Sequence, residues 1–319
     1  MDIVFDFERP IAELRKRIDQ LRELQEADGV NLSASIEQLE LQAQALQARV
    51  FARLSPWQRA QIARHPARPY LLDYVAAGFT EWTELHGDRA GFDDQALICG
   101  LARFRGRPVA VVGHQKGRKT KENMIRNFGM ARPDGYRKAL RVMQLADRQG
   151  LPILSFIDTP GAYPGVDAEE RGQAEAIARN IYEMSRLGVP VVTVVTGEGG
   201  SGGALAIGVA NRVLMLENSI YSVISPEGCA AILWRDRAEG PRAAESLRIT
   251  AEDCLSLGVV DEIVPEPLGG AHRHRDAVIG AVTDAIARHL DALVGLTPEE
   301  LRGQRYDRFR AMGRFTESA

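Results

Sequence analysis

The strongest constraint on the fold is an alternation of apolar, β-rich runs with helical patterns that begins near residue 96. Two runs, ALICGLARF and RPVAVVGHQ, are joined by Arg105-Gly106, a short turn signal that predicts a β-hairpin. Farther along, LPILSFID and VPVVTVVT have the pattern of buried strands, and a helical pattern follows each of them. Strands that alternate with helices in this way predict the α/β class.

The rest of the chain extends the same alternation. We predict helices around residues 136–146, 169–187, 204–210 and 271–294. Further strands are predicted at RVLMLE, SIYSVIS and VVDEIV. The sequence contains no internal repeat and no low-complexity tail, so a single α/β domain accounts for this part of the chain.

The N-terminal part of the chain has helical patterns instead. Apolar residues recur at steps of three and four from Ile11 to Leu24 and from Leu32 to Val50, which predicts two helices in an antiparallel hairpin. The segment from Ser35 to Gln38 fits a capping box, and Pro56 fits the first position of a further helix. Because a two-helix hairpin buries little apolar surface, we expect residues 1–82 to form a helical region that also contacts a partner chain.

Composition and charge exclude several functional classes. The chain has 319 residues, 45% of them hydrophobic, and a formal net charge of -3, which argues for a folded protein and against nucleic-acid or membrane partners. Its three cysteines form no Cys-x-x-Cys pair, so neither a disulfide framework nor a zinc site is predicted. The sequence has no targeting segment and no apolar run long enough for a bilayer, so we expect a cytoplasmic protein.

Two glycine-rich segments lead from predicted strands into predicted helices. They are DTPGAYPG, from Asp158 to Gly165, and GEGGSGGA, from Gly197 to Ala204. Ligands of α/β proteins bind outside the carboxyl ends of the strands. Glycines at such positions let the backbone turn sharply and present bare N–H groups to a ligand. The two segments therefore predict a site for an anion or for an oxyanion that develops during a reaction.

The second segment also fits two other motifs. Gly197, Gly199 and Gly202 match the dinucleotide fingerprint G-x-G-x-x-G, with Glu217 twenty residues after the first glycine. The short helix that follows and the position deep in the chain count against a nucleotide site.

A serine hydrolase is the sharper alternative. The motif G-x-S-x-G is formed around Ser201, and Asp261 is followed by His272 or His274 in the chain order of an α/β-hydrolase triad. Both histidines lie in a polar stretch that is typical of a solvated helix start, and Ser201 is equally well explained as a small residue in a tight turn.

A basic run, QKGRKTKEN, follows the predicted hairpin. Its cations are Lys116, Arg118, Lys119 and Lys121, which are suited to neutralise phosphate groups. A solvated surface loop explains the same charges equally well, because most charge runs lie on the surface.

Four long segments carry a resemblance to a known family. They are ELHGDRAGFDD, GHQKGRKTKENMIRNFGMARPDGYRKALR, FIDTPGAYPGVDAEERGQAEAIARN and GEGGSGGALAIGVANRVLMLENSIYSVISPEGCAAILW. In this order they resemble the alpha-subunit family of bacterial acetyl-CoA carboxylase carboxyltransferases, as far as about Val264. The resemblance implies a crotonase/ClpP-like α/β fold of repeated ββα units over residues 83–319, with residues 1–82 as an N-terminal helical extension.

The resemblance also implies an activity and its partners. Members of the family transfer the carboxyl group of carboxybiotin, held on the biotin carboxyl carrier protein, to acetyl-CoA and so form malonyl-CoA for fatty acid biosynthesis. The alpha chain is expected to pair with a zinc-bearing beta chain in an α2β2 assembly that also works with biotin carboxylase. This chain itself is expected to hold no metal. A scaffold subunit without a catalytic role remains the non-enzymatic alternative.

Site residues follow from the resemblance by position. Gly202, Gly203 and Ala204 are expected to supply backbone N–H donors to the ureido oxygen of biotin. Gly161 and Ala162 are expected to shape the biotin pocket. The remaining substrate-binding residues that the resemblance implies are Gly199, Gly200, Lys116, Arg118, Lys119 and Lys121.

Overall fold

The computed structural model describes residues 3–313, which form two compact units. One unit comprises the chain up to Ser55 together with Leu268–Gly270, and the other comprises the remainder. This division precedes the predicted boundary at residue 82, because the helices that follow Ser55 belong to the second unit. The domain boundary at residue 82 stays a prediction.

The first unit contains the predicted helical hairpin. Helix α1 covers Arg9–Asp28 and helix α2 covers Ser33–Phe51. They run antiparallel around a core of Ile18, Ile36 and Ala43, with leucines packed against it. Gly29 ends α1 in the left-handed conformation, at φ 67°, which glycine adopts without a steric penalty. The predicted capping box is wrong, because α2 already begins at Ser33.

The second unit is built on a mixed sheet whose eight strands lie within residues 80–264. The strands are β1 Thr80–Glu84, β2 Leu97–Phe104, β3 Arg107–His114, β4 Ile153–Thr159, β5 Val191–Gly200, β6 Arg212–Leu216, β7 Ile220–Ser222 and β8 Glu262–Val264. Neighbours run antiparallel from β1 to β3 and parallel through β3, β4, β5, β6 and β8, while β7 pairs with the end of β5. The predicted β2–β3 hairpin is confirmed, with Phe104 opposite Arg107.

Helices cover both faces of this sheet. Those of the second unit are α3 Pro56–Ala63, α4 Leu71–Gly78, α5 Thr120–Ile125, α6 Pro133–Arg148, α7 Val166–Glu170, α8 Gln173–Arg186, α9 Ser201–Leu205, α10 Pro226–Trp234, α11 Gly240–Leu247, α12 Ala251–Ser256, α13 Arg275–Leu293 and α14 Pro298–Arg310. One apolar core lies between the sheet and helices α6 and α8, and a second lies between the opposite face and helices α4 and α13. Among helices of the described chain, none is both long and apolar enough to cross a membrane.

Several predicted boundaries are corrected by the structure. Strand β5 continues through Gly200, so half of the predicted glycine loop is extended strand. Helix α9 starts at Ser201 and ends at Leu205, which is earlier than the predicted 204–210. The predicted helix over 169–187 is two helices, α7 and α8, because Gly172 adopts a left-handed conformation between them.

Candidate active site

The two glycine-rich segments lie side by side at the carboxyl ends of β4 and β5, where Thr159 pairs with Gly199. Their backbones touch directly. A Cβ atom at Gly203 would lie 2.6 Å from the carbonyl carbon of Gly161 and 2.7 Å from the nitrogen of Ala162. A Cβ atom at Gly200 would overlap the carbonyl of Pro160. Glycine is therefore required at both positions to bring the two segments together.

Backbone N–H groups are available where β5 turns into α9. The turn is sharp, since Ser201 has a positive φ of 50°, which is uncommon for a residue with a side chain. The first N–H groups of a helix, here up to Gly203, have no intrahelical acceptor. No other acceptor for Gly202 or Gly203 is found among the hydrogen bonds of the described residues. Gly202 is partly exposed, whereas Gly203 and Ala204 are buried.

The neighbouring segment is held in place by its own hydrogen bonds. Thr159 Oγ1 accepts from the N–H of Gly161 at 3.1 Å and donates to the carbonyl of Gly161 at 2.6 Å. The N–H of Tyr163 donates to the carbonyl of Ala131, and the Gln173 side chain donates to the carbonyls of Ala131 and Tyr163. The N–H of Gly161 is therefore already engaged. We call the surface beside the contact between Gly161 and Gly203, where Ala162 and Gly202 are partly exposed, the cleft.

An apolar pocket of about 340 Å³ adjoins Gly202. Apolar side chains line most of it, with Ser201, Ser222, Arg248 and Arg308 as the polar exceptions. The lining includes Leu205, Val213, Tyr221, Val223, Leu247, Cys254, Leu257, Val259, Phe309 and Met312. A pocket of this size and character, next to backbone donors, is typical of a small-molecule site.

The four cations of the basic run do not share one surface. Lys116 is largely buried, and its Nζ lies 2.7 Å from Asp158 and 3.1 Å from Glu198. Arg118 stacks over the ring of Tyr70 at 4.0 Å and pairs with Asp73. Lys119 and Lys121 are exposed. Lys116 and Arg118 are thus held by ion pairs within the protein, whereas Lys119 and Lys121 are accessible to a ligand.

The hydrolase triad is not assembled. Asp261 accepts a hydrogen bond from the backbone N–H of Val213 at 2.6 Å and pairs with Arg308 at 3.2 Å. His272 stacks on His65, with ring centroids 4.2 Å apart. Neither His272 nor His274 lines the pocket of Ser201. Ser201, Asp261 and these histidines therefore do not form a catalytic triad.

The dinucleotide fingerprint is likewise unsupported. Gly197 and Gly199 lie inside strand β5, and the Glu217 carboxylate accepts the backbone N–H of Glu266 at 3.0 Å. No group of three potential metal ligands occurs among residues 3–313.

Sequence reasoning missed the carboxylates that surround Lys116. Asp158 and Glu198 lie inside the two glycine-rich segments, and a charged residue in each otherwise apolar strand end was an available signal. Arg64, which binds Glu198, directly follows α3 and is distant from Glu198 in sequence. Nothing in the local pattern around Arg64 marks it as part of this site.

Comparison with known proteins places the chain in a family. Residues 4–313 match the family described as acetyl co-enzyme A carboxylase carboxyltransferase-like. The acetyl-coenzyme A carboxylase carboxyl transferase subunit alpha of Syntrophotalea carbinolica is 58% identical, over 98% of both chains. The same subunit of Thermus thermophilus is 59% identical, over 98% of this chain and 99% of its own.

Solved structures show the fold. A transcarboxylase 12S structure with methylmalonyl-coenzyme A bound superposes with a TM-score of 0.55 at 24% identity, covering 70% of this chain and 42% of that one. A Pseudomonas malonate decarboxylase hetero-tetramer in complex with coenzyme A gives a TM-score of 0.56 at 21% identity, covering 69% of this chain and 88% of that one.

These similarities confirm the predicted crotonase-like α/β fold and the predicted carboxyltransferase function. They also agree with biotin as the carrier of the carboxyl group and with a subunit of a larger enzyme. The hydrolase interpretation is not favoured, since neither the relatives nor the geometry around Ser201 supports it. The chain belongs to the family of alpha subunits of the acetyl-CoA carboxylase carboxyltransferase.

Proposed function

We propose that this chain forms the biotin side of a carboxyl-transfer site that it shares with a zinc-bearing beta subunit in an α2β2 assembly. The substrate is carboxybiotin on the biotin carboxyl carrier protein, recharged by biotin carboxylase, and the acceptor is acetyl-CoA, which becomes malonyl-CoA in the cytoplasm. The observation that carries this proposal is the cleft beside the contact between Gly161 and Gly203, where the backbone N–H of Gly202 lies in the partly exposed first turn of α9.

The chemistry requires stabilisation of negative charge on an oxygen. When the carboxyl group leaves the ureido nitrogen of biotin as CO₂, the electron pair of the broken bond spreads onto the ureido oxygen. N–H groups of Gly202 and Gly203 donate to this oxygen, while Ala204, the third predicted donor, follows the N–H groups that the start of α9 leaves without an intrahelical acceptor. In comparable sites the loss of one such donor costs roughly 3 kcal/mol of transition-state stabilisation.

The same electron pair provides the base for the second half of the reaction. The ureido group takes a methyl proton from acetyl-CoA, and the resulting enolate forms its new bond to CO₂. We assign the thioester oxygen of acetyl-CoA to the beta subunit. No side chain of this chain is needed as a nucleophile, in agreement with the unassembled triad around Ser201.

The residues around the donors fit a compact bicyclic substrate with an apolar tail. A Cβ atom at Gly202 would meet only the Ile177 side chain, at 3.6 Å, so the approach to this N–H is open. The apolar pocket adjoins the same residue. Gly161 and Ala162 pack directly against Gly203 beside this approach, and Gly199 and Gly200 hold the end of β5 close to Thr159 and Pro160.

Ser201→Ala is expected to leave carboxyl exchange little changed. The hydroxyl has no assigned role, whereas removal of a true serine nucleophile costs about a million-fold in a comparable enzyme. The measurement is the rate of malonyl-CoA decarboxylation by the assembled enzyme, together with labelling of Ser201 by a fluorophosphonate. Collapse of the rate together with strong labelling would favour the hydrolase instead.

The exposed Lys119 and Lys121 are proposed to contact the phosphates of coenzyme A. Replacing both by glutamine is expected to raise the KM for malonyl-CoA by about 2- to 30-fold, because exposed charge pairs contribute about 0.2 to 1 kcal/mol each. An unchanged kcat is expected, since the contact is equal in ground and transition states. Arg148→Gln, exposed at the end of α6, serves as the control. An unchanged KM in the double variant would remove this assignment.

The test of the proposed function is malonyl-CoA decarboxylation with biocytin as the acceptor. This chain alone, a beta subunit of the family alone, and the mixture of the two are compared. Turnover that needs both chains is the expected result. A properly assembled mixture without turnover would contradict the proposal.

A further inference from the structure

Lys116 binds residues at the carboxyl ends of β4 and β5, the two strands that lead into the glycine segments. It follows the end of β3, and its side chain is only 12% exposed. Its Nζ binds Asp158 Oδ1 at 2.7 Å and Glu198 Oε1 at 3.1 Å. Asp158 belongs to β4 and Glu198 to β5, with side chains 5% and 8% exposed. One ammonium group thus joins the carboxyl ends of the two strands that carry the cleft.

The two carboxylates lie immediately before the cleft along the chain. Asp158 is followed by Thr159, Pro160 and Gly161, and Glu198 is followed by the glycines that lead to Gly202. The backbone N–H of Glu198 also donates to Asp158 Oδ1 at 3.0 Å. A Cβ atom at Gly197 would overlap that same oxygen, so the close approach depends on glycine there. A change in the spacing of these carboxylates is transmitted to both walls of the cleft.

A second cation completes the network. Arg64, which directly follows α3, binds Glu198 Oε2 at 2.7 Å and Glu227 Oε1, on α10, at 2.5 Å. Burial opposes the ionised forms of Glu198 and Glu227, but the neighbouring cations outweigh it and lower the pKa of both. Burial likewise opposes the charged forms of Lys116 and Arg64, but the neighbouring carboxylates outweigh it and raise the pKa of both. Glu198, Glu227, Lys116 and Arg64 are therefore ionised at neutral pH.

A buried ion network is a poor source of net stability, because desolvation cancels most of the attraction between its charges. Its directional contacts instead fix the relative positions of the groups they join. In enzymes, a displacement of about 1 Å at a reacting group can reduce the rate by about 100-fold. Contacts that fix the distance between β4 and β5 therefore matter more for the geometry of a site made of backbone atoms than for the stability of the fold.

We infer that Lys116 is a positioning residue, which holds the Gly161 and Gly202 segments at the separation that carboxyl transfer requires. This inference rests on the proposed function of the cleft. It also replaces a phosphate-binding role for Lys116, since its ammonium is occupied by two carboxylates.

Lys138 provides a matched control for a purely structural role. It is likewise a buried lysine, and it pairs with Asp93 at 2.5 Å and donates to the carbonyl of Asp94. It lies on α6 and does not contact β4 or β5 by any hydrogen bond of the described chain. Lys138→Met should therefore destabilise the protein as Lys116→Met does, without displacing the cleft.

The experiment compares Lys116→Met, Lys116→Arg, Glu198→Gln and Lys138→Met. In the assembled enzyme, Lys116→Met is expected to lower kcat for malonyl-CoA decarboxylation by about 100-fold, with little change in KM. Lys116→Arg should recover part of the loss, because it restores the cation. Glu198→Gln keeps the side-chain shape and should give a smaller loss, and it decides the question if Lys116→Met does not fold. Lys138→Met should keep the wild-type kcat.

Amide hydrogen exchange of the chain alone gives a second readout. Lys116→Met should speed exchange in residues 160–165 and 201–205, and Lys138→Met should not. Hydrogen exchange is measured without turnover. A wild-type enzyme that does not decarboxylate malonyl-CoA would therefore contradict the proposed function but not the positioning role of Lys116. Wild-type kcat and exchange in both Lys116→Met and Glu198→Gln would overturn the positioning role, as would an equal loss of kcat in Lys138→Met.

Discussion

Gly203→Ala is expected to reduce carboxyl exchange by about 100-fold or more, although it keeps the backbone N–H. The added Cβ atom would lie 2.6 Å from the carbonyl carbon of Gly161 and 2.7 Å from the nitrogen of Ala162. Both neighbours are backbone atoms, so no side-chain rotation can relieve the overlap. The two walls of the cleft must move apart, and the donors move with them. The measurement is kcat for malonyl-CoA decarboxylation by the assembled enzyme.

Gly202→Ala is the matched control, one residue away. It also keeps the N–H, and its Cβ atom would make an ordinary contact of 3.6 Å with Ile177. We expect the protein to fold normally and the loss of activity to be much smaller than for Gly203→Ala. Equal, wild-type activity in both variants would contradict the account and would favour a scaffold role, in which the chain assembles the enzyme without forming its site.

Glu266→Gln is expected to lower the free energy of unfolding by about 3 to 5 kcal/mol. Glu266 and Arg68 are fully buried and form two hydrogen bonds, of 2.7 and 3.0 Å. Glu266 also accepts the backbone N–H groups of Asn218 and Ala271. Substitution leaves the Arg68 cation buried without a counter-ion. Chemical denaturation at neutral pH measures the effect.

The same pair has a predictable pH dependence. Burial disfavours the ionised form of Glu266, but Arg68 and the backbone donors outweigh it and lower its pKa below the ordinary 4.5. Its stabilising contribution is therefore present above pH 4.5 and is lost as the pH falls through the folded-state pKa. Glu266→Gln should therefore show a smaller loss of stability as the pH falls.

Asp291→Asn is the control for the loss of stability at neutral pH. It breaks an exposed pair with Arg107 and should lower the free energy of unfolding by less than about 1 kcal/mol. Similar effects of the two variants would contradict the prediction.

Local patterns were sufficient to predict most of the sheet from the sequence. The apolar runs around β2 and β3 are separated by Arg105-Gly106, and a two-residue turn admits one antiparallel register. Strand β4 is predicted from the mainly apolar run Ile153–Ile157, and all seven residues of the strand are buried. Helix α6 was predicted from a periodic apolar face that packs on the sheet.

The missed features depend on contacts between distant parts of the chain. Strand β5 continues into glycines, which have low strand propensity, because Gly199 and Gly200 pair with β7 and with the end of β4. The role of Lys116 could not be predicted, since its partners lie 42 and 82 residues away. The two predicted glycine segments meet at Gly203, whereas the four predicted cations do not gather there, and the substrate-binding roles of all these residues stay predictions.

The central claim is that backbone N–H groups at the start of α9 hold the ureido oxygen of biotin. A structure of the assembled enzyme with biocytin bound tests it most directly. We expect this oxygen within about 3 Å of the backbone nitrogen of Gly202 or Gly203, with the bicyclic ring beside the contact between Gly203 and Gly161. A ureido oxygen more than about 4 Å from every one of these nitrogens, or bound by side chains alone, would contradict it.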